Sequence, residues 1–172
     1  MTPDEQSDSP GSRLQHEIRQ TRPFRSRSQE AFLSLLRTAD VARGRHADLL
    51  EREGVTFQQY NVMRILRGAG EAGLPTLEIG ARMIERTPGV TRIVDRLERK
   101  GWVRRERHAA DRRRVWCHVT PPGLALLARL DAPVDAADAA IFAGMGGAEL
   151  EALVQALDRL RARLAAPGDP HG

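Results

Sequence analysis

With a single cysteine, Cys117, this 172-residue chain can form no internal disulfide and no zinc site built on several thiolates. Aromatic residues are scarce at 4%, and no apolar run approaches the ~20 residues that a membrane-crossing helix requires. Met1 to Gly11 is polar and acidic with two prolines, so neither a secretion signal nor a transit sequence is expected there. Lysine is almost missing: Lys100 stands alone, and 26 of the 27 basic residues are arginine. A GC-rich genome would produce that bias without any functional cause. The length suffices for one domain or two small lobes whose core needs no covalent staple. An ordinary 41% of hydrophobic and 29% of charged residues predicts a soluble protein, expected in the cytoplasm.

What is present is unevenly placed. The net charge is +4, yet between Arg82 and Arg114 twelve basic residues face five acidic ones. That stretch carries an excess of +7, and the remainder of the chain is net acidic. A basic centre between acidic ends is the electrostatic footprint expected of a protein that meets a polyanion.

Periodicity divides the chain. Residues 1–27 are rich in Ser, Pro and Arg, and Leu14 and Ile18 support one short helix in what reads as a mobile arm. From Ser28, Phe32, Leu35, Leu36, Ala39, Ala42, Leu49 and Leu50 recur at three- and four-residue steps, predicting a long first helix that ends by Gly54. Thr56 suits the N-cap of a second helix carrying Tyr60, Met63, Ile65 and Leu66 and closed by Gly68. A short helix after Pro75 offers Leu77, Ile79, Ala81 and Met83 for packing. The next has the clearest punctuation: Thr87 as cap, Pro88 at the first position and Gly101 just past the end. Val90, Ile93, Val94 and Leu97 form its apolar stripe, and Thr91, Arg92, Asp95, Arg96 and Arg99 its other face.

After Gly101 the period changes to two. Trp102–Arg107 and Arg114–Thr120 read as short strands joined by a cationic tip, His108 to Arg113. Pro121 and Pro122 then open a helix with Leu124, Leu127, Leu130, Val134 and Ile141, which Pro133 is expected to kink or interrupt. Glycines at 144, 146 and 147 precede a last helix bearing Leu150, Leu153, Val154, Leu157, Leu160 and Leu164, and residues 166–172 form a tail.

Three helices, a basic helix and a cationic hairpin, in that order, predict a winged helix-turn-helix. The chemistry suits double-stranded DNA. Arg92 and Arg96 lie four residues apart on one face, and arginine can bond bidentately to guanine in the major groove. Thr87 and Thr91 can reach phosphates or thymine methyls, and Arg86 and Arg104 are phosphate-contact candidates. Arg112 and Arg113, beside Asp111, can enter the adjacent minor groove. The bland reading of the same helix is a solvated face laced by pairs such as Asp95–Arg99.

The stretch Thr87-Pro-Gly-Val-Thr-Arg-Ile-Val-Asp-Arg-Leu-Glu-Arg-Lys-Gly-Trp-Val103 resembles the recognition helix of MarR-type regulators. Asp111-Arg-Arg-Arg-Val-Trp-Cys-His-Val-Thr120, with Gly123 after it, resembles that family's wing and the start of its next helix. The resemblance runs from about Ser28 to Leu164 and implies a wing shaped by an Asp111–Arg113 pair, with the arginine reaching the minor groove. It also implies a homodimer built from the first and last helices, and repression relieved by a small ligand. The length and apolarity of those helices favour a dimer on their own account. A two-fold dimer would set two recognition helices roughly 34 Å apart, matching a pseudo-palindromic operator. The resemblance places an effector pocket between the dimerisation helices and the winged lobe, often for aromatic carboxylates or phenols. Arg43, His46 and Tyr60 are candidates to line it, unless Tyr60 is core and Arg43 surface.

Other motifs fail on context. Gly68-Ala-Gly-Glu-Ala-Gly73 matches a dinucleotide-binding fingerprint in letters, but that fold needs a strand before it and a helix opening within it. His16-Glu17 lacks the second histidine of a zinc-protease motif, the five histidines are scattered, and no catalytic arrangement stands out. Cys117 reads as a small packed hydrophobe on the wing. No cofactor, metal, membrane or enzymatic role is expected. The expected fold is mostly α with a small β-hairpin wing: a first dimerisation helix at 28–54, a winged helix-turn-helix lobe at 55–120 and C-terminal dimerisation helices at 121–165. The expected function is sequence-specific transcriptional regulation as a homodimer on DNA. A sequence-indifferent architectural DNA-binding protein is the alternative, and a nucleotide-dependent enzyme resting on the 68–73 glycines is a more distant one.

Overall fold

Helices dominate because the apolar residues recur at helical spacing and the caps stand at the expected junctions. A computed structural model describes residues 12–85, 88–107 and 115–165 of the chain. Two compact units divide it, one ending at Asp48 and the other starting at Leu49.

In the first unit Ser12 caps a short helix, α1 (Arg13–Glu17), its hydroxyl accepting from the Gln15 N–H at 3.4 Å. Leu14 is buried. Ser26 repeats the device for α2 (Arg27–Glu51), accepting from Gln29 at 3.1 Å. The last turn of α2 belongs to the second unit, where Gly54, in the left-handed region at a φ of 69°, turns the chain.

The second unit is built around α3 (Phe57–Ala69). Thr56 and Gln59 cap it reciprocally, each side chain bonding the other's backbone N–H at 3.2 Å. Val62, Met63 and Leu66 on α3 are fully buried, and α3 packs against α4 (Thr76–Arg82), α5 (Val90–Arg99), α6 (Pro121–Ile141) and the sheet. Ile79 of α4, Leu97 of α5, Val103, Cys117, and Leu127 of α6 complete one continuous core. Leu77 does not join it and is 86% exposed. Residues two apart point to opposite sides of a helix, so a seven-residue helix that buries Ile79 turns Leu77 outward.

The sheet has three antiparallel strands in the order β1 (Leu74–Pro75), β3 (Val115–Val119), β2 (Val103–Arg107). The hairpin β2–β3 was expected; β1 was not. Leu74 pairs with Cys117 and Pro75 with Trp116, so the two residues before the short helix form an edge strand. Their approach demands Gly73. Its φ is 63°, and a Cβ there would lie 2.6 Å from the Cys117 carbonyl oxygen. α3, expected to close at Gly68, continues through Ala69, and Gly70–Ala72 forms a 3-10 turn.

Thr120 caps α6, accepting from Gly123 at 3.3 Å, with Pro121 and Pro122 in the first turn. Of the kink or interruption expected at Pro133, the interruption does not occur: α6 continues across it to Ile141. Buried Leu130 and Val134 on either side of the proline hold the turn in place, offsetting the ~3 kcal/mol that an interior proline costs. A final helix, α7 (Gly147–Leu164), has no buried residue at all.

Candidate nucleic-acid interface

The outward face of α5 is set by its inward one. Val94 and Leu97 are fully buried and Val90 and Ile93 pack against the core, which directs Thr91, Arg92, Arg96 and Arg99 to solvent. The helix begins later than expected. Gly89, left-handed at a φ of 98°, is the N-cap, and Pro88 belongs to the preceding turn rather than to the first helical position. Arg92 N–H closes the first bond onto the Gly89 carbonyl at 2.9 Å. Where α4 meets α5, a Cβ on Gly80 would sit 3.5 Å from a Val90 methyl, an ordinary contact.

The carboxylates of α5 are turned to the wing. Arg105, on β2, makes a charge-assisted hydrogen bond to Asp95, lies 3.6 Å from the Glu98 carboxylate and donates to the Thr91 carbonyl at 3.3 Å. Its own backbone N–H donates to Glu98 at 3.1 Å. The Asp95–Arg99 pairing of the alternative, solvated-face reading is not formed; Asp95 pairs between elements, with Arg105. Among the described residues Arg92, Arg96 and Arg99 meet no carboxylate. Arg105, a residue that sequence reasoning did not single out, offsets one of the two negative charges that Asp95 and Glu98 bring to this helix.

Of the other expected contacts, Arg104 is exposed on β2 and bonded to Glu106, whose carboxyl that hydrogen bond holds below its ordinary range. Arg86, Thr87, Asp111, Arg112 and Arg113 lie outside the described residues. Arg43 is exposed and His46 half-buried on α2, with the His46 ring nitrogen Nδ1 3.2 Å from the Ala42 carbonyl. Tyr60 is buried in the core of the second unit, where burial raises its phenol above the ordinary value. Its ring still reaches a polar cavity of about 350 Å³ walled by Arg64, Arg67, Asp131, Asp135 and Asp138. In that wall Arg67 grips Asp131 through two hydrogen bonds of 2.9 and 3.0 Å. Burial pushes the Cys117 thiol up, and Thr76 lies 3.7 Å from its sulfur, an environment that keeps it a packed thiol rather than a thiolate.

The Gly68–Gly73 segment spans a helix end and a 3-10 turn, without the preceding strand that a dinucleotide site needs. Among the described residues no group of His, Cys, Asp and Glu is arranged to hold a metal ion, and no helix is long and apolar enough to cross a membrane.

Comparison with known proteins adds a family. A model described as the MarR family matches residues 55–115. A MarR transcription factor from Planctomyces limnophilus is 34% identical, with a TM-score of 0.62 over 78% of this chain and 98% of that one. A Thauera aromatica protein assigned to the regulation of the hcr operon is 33% identical over 63% of this chain, a match spanning 64% of that protein's own length. The homoprotocatechuate degradative operon repressor of Escherichia coli is 26% identical over 73% of this chain and 84% of its own.

Proposed function

This chain belongs to the MarR family, and on that premise we propose that it is a sequence-specific DNA-binding transcription regulator acting as a homodimer on a pseudo-palindromic operator. The observation that carries the reading is the outward face of α5, where Thr91, Arg92 and Arg96 stand exposed without a carboxylate partner among the described residues while Asp95 is held by Arg105. Arg92 and Arg96, with Thr87 and Thr91, read or clamp the major groove. Arg112 and Arg113 enter the minor groove with Asp111 orienting the wing, and Arg86 and Arg104 contact phosphates.

The apolar residues left in water support the dimer. Leu150, Val154, Leu160 and Leu164 on α7 are all at least 36% exposed, as are Phe32, Leu35 and Leu36 on α2. A second copy is the occupant that the proposal assigns to these faces. Repression is the proposed direction, in keeping with the operon-repressor relative, and a small aromatic or phenolic effector would relieve it. The Tyr60 cavity supports an effector site in the second unit; Arg43 and His46 on α2 are proposed as separate effector contacts.

Fluorescence anisotropy on DNA from upstream of the protein's own gene, against scrambled DNA and across salt concentrations, tests the reading. A preference of about 10³ or more with two-fold-symmetric protection is the expected result. Equal affinity for both DNAs with a steep salt slope would instead identify an architectural, charge-driven binder.

A further inference from the structure

A second feature lies at the far end of α5. There Arg96, Arg99 and Lys100, on one helix face, join Thr56, Gln59 and Glu51 around an open cavity of about 430 Å³. Glu51 is the one carboxylate in the lining, and it makes no ion pair with the three cations among the described residues. Glu53, close by in sequence, is already engaged by Arg129 at 3.2 Å. Lys100 is held in place: its Nζ donates to the Gly54 carbonyl at 2.5 Å and sits 4.6 Å from the centre of the Trp102 ring.

Apart from Glu51, the polar side chains on the cavity wall can donate. Gln59 is only 5% exposed, and its carbonyl oxygen accepts the Thr56 N–H. Its amide nitrogen has no partner among the described residues. The Thr56 hydroxyl accepts from the Gln59 N–H at 3.2 Å, which leaves its own O–H to donate. The Gly54 carbonyl accepts from Lys100. A pocket rich in fixed donors and cations and poor in acceptors has the chemistry of an oxyanion site.

We propose that this cavity binds a phosphate group through Arg96, Arg99, Lys100 and the Gln59 amide. The occupant assigned is a backbone phosphate of the duplex that α5 contacts, so this step rests on the DNA-binding reading; a free phosphorylated molecule presents the same chemistry. Arg99 and Lys100 thereby become phosphate-positioning residues at one end of the helix whose Arg92 meets the bases.

Two arms test it, both on the full chain. In the first, without DNA, pyrophosphate is titrated at constant ionic strength and followed by thermal shift and by phosphorus NMR line width. Wild type is expected to saturate, Arg99→Gln to lose most of the response, and Arg99→Lys to recover it. In the second, Arg99→Gln is expected to weaken operator and scrambled DNA by the same several-fold factor and to lower the salt slope by about one per protomer. Pyrophosphate binding with an unchanged DNA slope would overturn the backbone assignment in favour of a free anion. An equal response of wild type and Arg99→Gln in both arms would overturn the site altogether. If wild type binds no DNA at all, the regulator reading fails while the pyrophosphate arm still reads the pocket. Arg99 is exposed and unpaired among the described residues, so its loss leaves the fold intact.

Discussion

Arg105 on β2 holds Asp95 on α5, ten residues earlier in sequence, through a direct hydrogen-bonded ion pair. The pair joins the wing to the helix it flanks and removes a carboxylate's charge from the cationic face. Burial opposes the Arg105 charge, but the bond to Asp95 and the nearby Glu98 outweigh it and hold the guanidinium above its ordinary value.

Arg105→Gln is therefore expected to affect binding more than stability. The side chains are 25% and 45% exposed, and a pair this open contributes about 1 kcal/mol or less. Exposing the Asp95 and Glu98 charges should weaken DNA of any sequence. Urea denaturation beside anisotropy separates the two; a large loss of stability with unchanged binding would contradict the assignment.

Arg92→Ala and Arg96→Ala should leave the thermal midpoint unchanged, both side chains being exposed. A residue that reads a guanine should cost about 1–3 kcal/mol of operator affinity and relax preference at that base alone. Selection of bound sequences from a randomised operator measures this directly.

Gly123→Ala tests how α6 is seated. A Cβ there would lie 2.9 Å from a Val119 methyl and overlap the Trp102 carbonyl oxygen, which is rigid backbone. Overpacking of this kind costs about 1–3 kcal/mol. Thermal unfolding should show the loss, and a neutral substitution would show that α6 can shift.

The Arg67–Asp131 pair predicts an acid-dependent term in stability. Its hydrogen bond to Arg67 lowers the Asp131 carboxyl below its ordinary value in the folded state. Asp131 therefore contributes stability that is present above the unfolded value, about 3.9, and is lost as pH falls through the lower folded one. Asp131→Asn should flatten the fall of the urea midpoint below about pH 4 relative to wild type. Parallel curves for the two proteins would remove the pair from the account.

Val154→Glu places a charge on the exposed apolar face of α7. If that face meets a second copy, light scattering should find a monomer and operator binding should fall sharply while helicity is retained. A dimer that survives the substitution would move the interface elsewhere.

Residues near each other in sequence carried most of what could be read before the fold was known. The α5 stripe, the capping of α3 by Thr56, the Thr120–Pro121–Pro122 start of α6 and the β2–β3 hairpin follow from spacings of a few residues, where helical or strand period and cap chemistry act locally. The exposed positions of Thr91, Arg92 and Arg96 followed from the same stripe, because burying one face of a helix determines the other.

The remainder depended on distant segments meeting. β1 exists because Leu74 and Pro75 find hydrogen-bonding partners in β3, more than forty residues later, and a two-residue strand has no period of its own to announce it. α6 passes Pro133 because buried neighbours offset a local cost that the sequence shows without its compensation. The Arg105–Asp95 tie and the donor-lined cavity between Gln59 and Lys100 likewise need the chain to turn back on itself. The sequence by itself determined the long helices, the β2–β3 hairpin and which face of α5 is cationic, since short-range periodicity and capping energies decide these. Only the tertiary structure decided which charges on that face stay unpaired and what surrounds them, because pairing depends on contacts that close over long loops.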